Sequence, residues 1–271
     1  MIYQKLPSPP HLKDYVRFFW VLESSAKTQI PYVYRSMADG CLELVFHYKG
    51  RFTEITNGVN IPQVHSLIHA QTNQFRRFIT AEHFGIFGAY IYPYAAERLF
   101  DHPPTALSNQ MLGLSDLLGK TGREVEEKMM LASNNKTRAK ILAEFLTQRA
   151  KGNFQMKNIP AVNVIKSIIH RRGMTTVKDL ADQSYLSVRQ FERKFKQFSG
   201  FSPKLYSRII RFQTAMDAYG KPKRSLTEIA YETGYYDQSH FIHEFKQFSG
   251  YHPKVFFSGN AEGTEYREES W

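Results

Sequence analysis

The chain has 271 residues, of which 42% are hydrophobic, with one cysteine and a formal charge of +11 at pH 7. That length calls for two domains, the single cysteine excludes an intramolecular disulfide and a cysteine-rich zinc site, and no stretch approaches the ~20 apolar residues that span a bilayer. The start, MIYQKLPSPPHLKD, lacks the apolar run of a secretory signal, so a soluble, cytoplasmic protein with no membrane partner is expected.

Up to about residue 92 the chain reads as strands and turns. YVRFFWVLE, CLELVFHYK, HSLIHAQ and RFITAEHFGIFGAYIY are rich in aromatic and β-branched residues, and Ala38-Asp39-Gly40, Lys49-Gly50 and Asn57-Gly58 punctuate them. Short strands at this spacing predict a small antiparallel sheet or barrel. Cys41 reads as a small buried hydrophobe. In a strand, His65 and His69 would lie about 13 Å apart, too far to share one ion, so no metal or other cofactor is expected. No Ser/His/Asp order, HExxH, P-loop or GxGxxG occurs, and nothing points to an enzyme.

After Pro93 the periodicity becomes helical. Tyr94 to Phe100 is stopped by Asp101-His102-Pro103-Pro104, and SDLLG, GREVEEKMMLA and NKTRAKILAEFLTQRA follow as helices. KGNFQMKN at 151–158 is polar and reads as a linker. The predicted domains are 1–152 and 158–257, followed by a polar, mobile tail at 258–271.

Residues 158–257 contain one pattern twice: FERKFKQFSGFSPK at 191–204 and FIHEFKQFSGYHPK at 241–254. In the first copy Thr176 caps a short helix and Ser187 with Gln190 forms a capping box for a second, after a tight turn at Ser184 to Leu186. In the second copy Ser225 pairs with Glu228, Gly234 serves the turn and Asp237 is the next cap. Leu180-Ala181 matches Ile229-Ala230 at an offset of 49, and Phe191 matches Phe241 at 50, so the second turn is one residue longer. Each copy is a helix-turn-helix ended by Gly200 or Gly250 and then Pro203 or Pro253. The stripes Phe191, Phe195, Phe198 and Phe241, Phe245, Phe248 are core. Leu205, Ile209, Phe212 and Met216 predict a long helix holding the two units apart. The fold class is therefore α+β: a β-rich N-terminal sheet or barrel with trailing helices, then an all-α domain with two helix-turn-helix units.

Positive charge is densest on the repeat, where residues 158–257 hold sixteen Lys/Arg against eight Asp/Glu. At 100° per residue Arg189, Arg193 and Lys196 lie opposite the phenylalanine stripe, flanked by Gln190 and Glu192. In the second copy the outward set is Gln238, Ser239, Ile242, His243 and Lys246. A solvated polar face is the plain alternative, but a helix-turn-helix presents this face to the major groove, where Arg pairs with guanine and Gln with adenine.

These residues resemble the DNA-binding domain of the AraC family of bacterial transcription regulators. The resemblance rests on LADQSYLSVRQFERKFKQFSGFSP, on Pro203, Tyr206, Arg211 and Ala215 of the linking helix, and on GYYDQSHFIHEFKQFSGYHP. It implies base reading by Arg189, Glu192 and Arg193 in the first unit and by Gln238, Ser239, Ile242 and His243 in the second, with Gln190 beside them. Lys196, Lys246 and Arg211 are assigned to phosphate. His243 stands where members commonly have Arg or Thr. PPHLKDYVRFFWVLE, MADGCLELVFHY, FGAYIYPYAAERLF and LSNQMLGLSDLL are similar to a β-rich regulatory domain found in some members, with Tyr94 where a glycine is common.

The expected function is sequence-specific transcription regulation, with helices 188–198 and 238–248 in successive major grooves of double-stranded DNA. Relatives imply a small-molecule effector or a homodimer through the N-terminal domain, and RNA polymerase as a partner if the chain activates. Two alternatives compete. A non-specific architectural DNA binder would hold by charge alone, and a DNA-repair methyltransferase would need four zinc cysteines where only Cys41 exists.

Overall fold

The computed structural model describes residues 1–24, 31–151, 160–218, 224–259 and 261–263. Ten strands come first: β1 (Ile2–Pro7), β2 (Val16–Ser24), β3 (Tyr32–Ser36), β4 (Leu42–Lys49) and β5 (Thr53–Thr56). They continue with β6 (Val59–Pro62), β7 (Ser66–His69), β8 (Arg76–Thr80), β9 (Phe84–Ile91) and β10 (Met111–Gly113). Five helices belong to this half: α1 (Ala96–Phe100), α2 (Pro104–Leu107), α3 (Leu114–Leu118), α4 (Lys120–Leu131) and α5 (Asn135–Ala150).

Two antiparallel sheets face each other, one ordered β1-β2-β9-β4-β7-β10 and one ordered β3-β8-β5-β6. Side chains alternate along a strand, and β2 uses both faces. Trp20 and Leu22 join Val45, Phe52, Phe78 and Ile86 between the sheets, while Phe19 and Val21 join Leu44, Phe87, Leu99 and Leu146 under the helices. Trp20 faces Gly88 across the β2–β9 pair, and a Cβ on Gly88 would lie 2.4 Å from the indole, so this glycine makes room for the ring.

RFITAEHFGIFGAYIY is two strands rather than one. Its first part, β8, pairs in the small sheet and its second, β9, in the large one, with the chain crossing at Ala81 to His83. Asn57 and Gly58, both at positive φ, make the two-residue turn of the β5–β6 hairpin. The strands β1, β3, β5, β6 and β10 escape sequence reading because they are short or polar. The helices after Pro93 form where expected, with Asp101 in the left-handed conformation closing α1. Most of the 151–158 linker lies outside the described residues.

Seven helices follow: α6 (Pro160–His170), α7 (Val177–Gln183), α8 (Val188–Ser199), α9 (Pro203–Met216), α10 (Leu226–Glu232), α11 (Gln238–Ser249) and α12 (Pro253–Phe257). Pro203 and Pro253 open α9 and α12 as well as closing what precedes them, because the first helical turn needs no N–H donor.

The core does not divide at the linker. Leu180, Phe191, Phe195, Tyr206 and Ile210 share one cluster with Ala95, Leu99 and Leu107. Ile209, Phe212, Met216, Phe241, Phe245 and Phe248 form another that takes in Met37 and Ala38. Helix α9 thus turns one face to each core. The tail departs from the polar, mobile expectation as far as it is described: Ala261 is buried in the second cluster, and Glu262 pairs with Arg35 at 2.6 Å and with Arg77 at 2.8 Å. Two cations on β3 and β8 attract this carboxylate, a partner that a local reading of a polar segment cannot find.

Candidate nucleic-acid interface

The two helix pairs are built by their caps. Thr176 accepts from the Asp179 N–H and Asp237 from the His240 N–H, while Ser187–Gln190 and Ser225–Glu228 are complete capping boxes. Gly200 and Gly250 end α8 and α11 at φ of 79° and 71°.

The turns show where the extra residue went. Leu186 N–H donates to Ala181 O at 3.1 Å and Tyr235 N–H to Ala230 O at 2.9 Å, so Leu186 and Tyr235 are equivalent. Tyr185 (φ 53°) then matches Gly234 (φ 76°), and the inserted residue is Tyr236. A non-glycine residue in this conformation costs roughly 1–2 kcal/mol, yet Tyr185 is 96% exposed and Tyr236 is 86% exposed. Two bare tyrosines therefore stand beside the starts of α8 and α11.

The anticipated reading residues fall on the outer faces. Arg189, Glu192, Arg193 and Lys196 are exposed on α8, as are Gln238, Ser239, His243 and Lys246 on α11, with Ile242 half-buried. Two glutamines are already engaged: Gln190 Oε1 accepts from Ser187 N at 3.2 Å, and Gln238 Oε1 accepts from Thr227 Oγ1 at 3.0 Å. Arg211 has an internal partner too, donating to Gly234 O at 3.0 Å with its guanidinium 5.4 Å from the Tyr235 ring. It braces the second turn against α9. On the inner faces Phe191 and Phe195 are buried but Phe198 only partly, whereas all three phenylalanines of the second copy are buried.

Sequence reading missed what holds these helices in place. Glu244 is 2% exposed and accepts from Arg208 Nε at 2.5 Å, with His240 Nε2 at 3.2 Å, which locks α11 to α9. The His240–Glu244 spacing of four was the available signal. The N-terminal half grips both repeats at the same place. Gln71 Nε2 donates to Ser199 O, Arg35 donates to Gly250 O, both at 3.0 Å, and Ala38 N–H donates to Phe248 O at 2.9 Å. Cys41, in contrast, is buried with its thiol pushed up to about 12 by burial, the reverse of what a nucleophile needs.

A family described as "Helix-turn-helix domain" matches residues 180–259, from α7 through α12. That span carries both capped pairs and the helix between them, the arrangement of the AraC type. Residues 180–259 thus carry a helix-turn-helix domain of the AraC type. A second family, described as a domain of unknown function (DUF6597), matches residues 4–113 and so covers both sheets.

Among curated proteins the chain is 36% identical over 61 residues to the HTH-type transcriptional activator RhaS of Escherichia coli K12, and equally to RhaS of Shigella boydii. The match covers 22% of this chain and 22% of RhaS, so the chain spans about a fifth of the length of these relatives. Among solved structures it is similar to ToxT from Vibrio cholerae O395 bound to (E)-4-(8-methylnaphthalen-1-yl)but-3-enoic acid. That likeness has a TM-score of 0.50 and 11% identity over 96% of this chain and 100% of ToxT, and is one of fold. Among the described residues no helix is long and apolar enough to cross a membrane.

Proposed function

We propose that the chain is a sequence-specific, DNA-binding transcription regulator whose helices α8 and α11 enter successive major grooves of one duplex. The observation that carries this reading is the pairing of two capped helices, each buried on its phenylalanine side and exposed on a side rich in hydrogen-bonding groups. On this reading Arg189, Glu192 and Arg193 read bases in one groove, where Arg donates to guanine O6 and N7. Gln238, Ser239, Ile242 and His243 read the next, Ile242 through a thymine methyl. Lys196, Lys246 and exposed Lys and Arg around them bind phosphate, which positions without specifying. Gln190 acts mainly as a cap that presents its neighbours.

The N-terminal half acts on this machinery through its grip on the ends of α8 and α11. An effector bound there, a homodimer formed there, or RNA polymerase recruited by an activator would each be read out through those contacts. The test is selection of bound sequences from a random duplex pool with the full chain at physiological salt. Two enriched blocks one helical turn apart are expected. Binding without enrichment that vanishes as salt rises would replace this reading with an architectural one.

A further inference from the structure

A cleft of about 440 Å³ opens where the large sheet meets α9, with Asp39 and Glu43 among its lining. Trp20, Tyr34 and Tyr90 supply aromatic wall, and Gln213 of α9 closes the far side, so an occupant would touch both halves of the chain. The volume suits a small organic molecule.

The two carboxyl groups differ in how they are satisfied. Asp39 accepts from Cys41 N at 2.7 Å and from Tyr90 OH at 2.8 Å; burial raises its carboxyl above the usual range, against these bonds and the charge of Arg17. Glu43 also hydrogen-bonds Tyr90 but, among the described residues, forms no ion pair, although Lys5, Arg17 and Arg172 line the same cleft. Burial, and then the charge of Asp39, push its carboxyl up to about 8. A buried carboxyl beside a second one and in no ion pair is a costly arrangement that a cation seated on it would relieve.

A second observation is independent of the acids. The indole Nε1 of Trp20 has no hydrogen-bond partner although the residue is only 5% exposed, and Trp20 lines both this cleft and a cavity of about 30 Å³ behind it. Glu43 lines that inner cavity as well, together with His47 and His69, whose Nδ1 and Nε2 also lack partners. Unsatisfied buried donors are rare and costly, so the Trp20 N–H marks the place of an acceptor.

The rim already holds cations on aromatic faces: Lys5 Nζ sits 5.8 Å from the Tyr3 ring and 5.5 Å from Phe18, and Arg17 sits 5.9 Å from Phe18. Arg17 is further occupied by Cys41 Sγ at 3.7 Å. We infer that this cleft binds a small organic cation of the amino-alcohol class, its ammonium on Glu43 against the Tyr34 and Tyr90 faces and its hydroxyl accepting from Trp20 Nε1. Attraction of an ammonium to a desolvated aromatic face adds to the carboxylate contact.

The site is tested without DNA, so its outcome is separate from that of the proposed function. Three probes of one shape are titrated into the full chain by calorimetry: 2-amino-1-phenylethanol, the neutral 1-phenyl-1,2-ethanediol and the anion mandelate. The amine should bind saturably with Kd below about 1 mM, the diol at least about tenfold more weakly, and mandelate not measurably. Glu43→Gln should reduce amine affinity about tenfold and leave diol affinity unchanged, while Trp20→Phe should weaken both. Equal or tighter binding of diol or mandelate, or no saturation by the amine at about 10 mM, overturns the inference. The charge series on the unaltered chain decides even if a variant fails to fold.

Discussion

The side-chain amide of Gln71 donates to the carbonyl of Ser199 at 3.0 Å, so a fully buried residue from the loop after β7 closes the end of α8. The same nitrogen lies 3.0 Å from Pro104 O and 2.9 Å from Ser108 Oγ. Arg35 does the corresponding service for α11 at Gly250 O. The repeated Ser-Gly that ends each copy of FKQFSG is thus both a helix stop and a docking point for the N-terminal half.

Gly200→Ala should therefore cost more than its backbone conformation alone. A Cβ there would lie 2.1 Å from Gln71 Nε2 and Ser108 Oγ and 2.8 Å from Pro104 O. Gly58→Ala is the control, since φ is also positive but no atom lies within 4 Å of the new Cβ. Urea unfolding should show a loss of about 1 kcal/mol for Gly58→Ala and at least ~2 kcal/mol for Gly200→Ala. Equal losses would mean that the dock is slack.

Arg193→Ala and Glu244→Gln should separate reading from support. Arg193 is exposed, so its loss should leave the urea midpoint unchanged while costing ~1–3 kcal/mol on the preferred site and relaxing one base pair of specificity. Glu244→Gln removes the charge facing Arg208, and should cost about 1–3 kcal/mol in stability. It should weaken all DNA sequences alike. An equal loss on every sequence for Arg193→Ala would reassign that residue to phosphate.

Glu262→Gln tests the tail. The side chains of Glu262 and Arg77 are each 37% exposed, so solvent screens the pair, and the network should be worth under ~1 kcal/mol. The Arg77 hydrogen bond holds the Glu262 carboxyl below its usual range. This stability is present above the unfolded carboxylate pKa and lost as pH falls. Urea midpoints at neutral pH should differ between variant and parent at low salt and converge at about 1 M salt. A difference that persisted at high salt would show that packing of Glu262 matters more than its charge.

Acid stability should be set by groups inside the sandwich that oppose each other. Burial, then the charge of His65, pushes His47 down to about 4, and burial, then Arg76, pushes His69 down to about 3. Their folded values lie below the unfolded one, so they stabilise above about pH 6.5 and lose that stability as pH falls toward 4. Glu43 is raised to about 8, so it stabilises most at low pH and loses that stability as pH rises through 8. From pH 5 to 7 each group is worth on the order of 2 kcal/mol, and the carboxyl works against the imidazoles. Glu43→Gln should therefore steepen the rise in stability over pH 5–7, measured by urea unfolding. An unchanged slope would mean that Glu43 already has a countercharge.

The helix-turn-helix units were legible because their signals are local. Ser187 and Gln190, or Ser225 and Glu228, lie three residues apart, and Gly200 and Gly250 mark their own stops. What joins the halves was not legible, since Gln71 reaches Ser199 and Glu262 reaches Arg77 over separations of 128 and 185 residues, and neither pair has a periodic signature. The outward faces were read from helical angle alone. That method gives no hint that the Gln190 and Gln238 side-chain oxygens already accept from internal donors, or that Arg211 is turned onto Gly234. The cleft was invisible for the same reason, because Trp20, Asp39, Glu43 and Gln213 come together only when β2, β4 and α9 are assembled.

The core that crosses the linker also has a consequence in time. A ribosome delivers residues in order, and α8 packs on α2 and on the turn at Pro93–Ala95, with Phe191 and Phe195 clustering with Ala95, Leu99 and Leu107. The side of those early residues that faces α8 has no cover until α8 has been synthesised. The nascent chain therefore carries a bare apolar surface through the making of α4, α5 and α6, the kind of surface that chaperones bind and that aggregates if synthesis stalls.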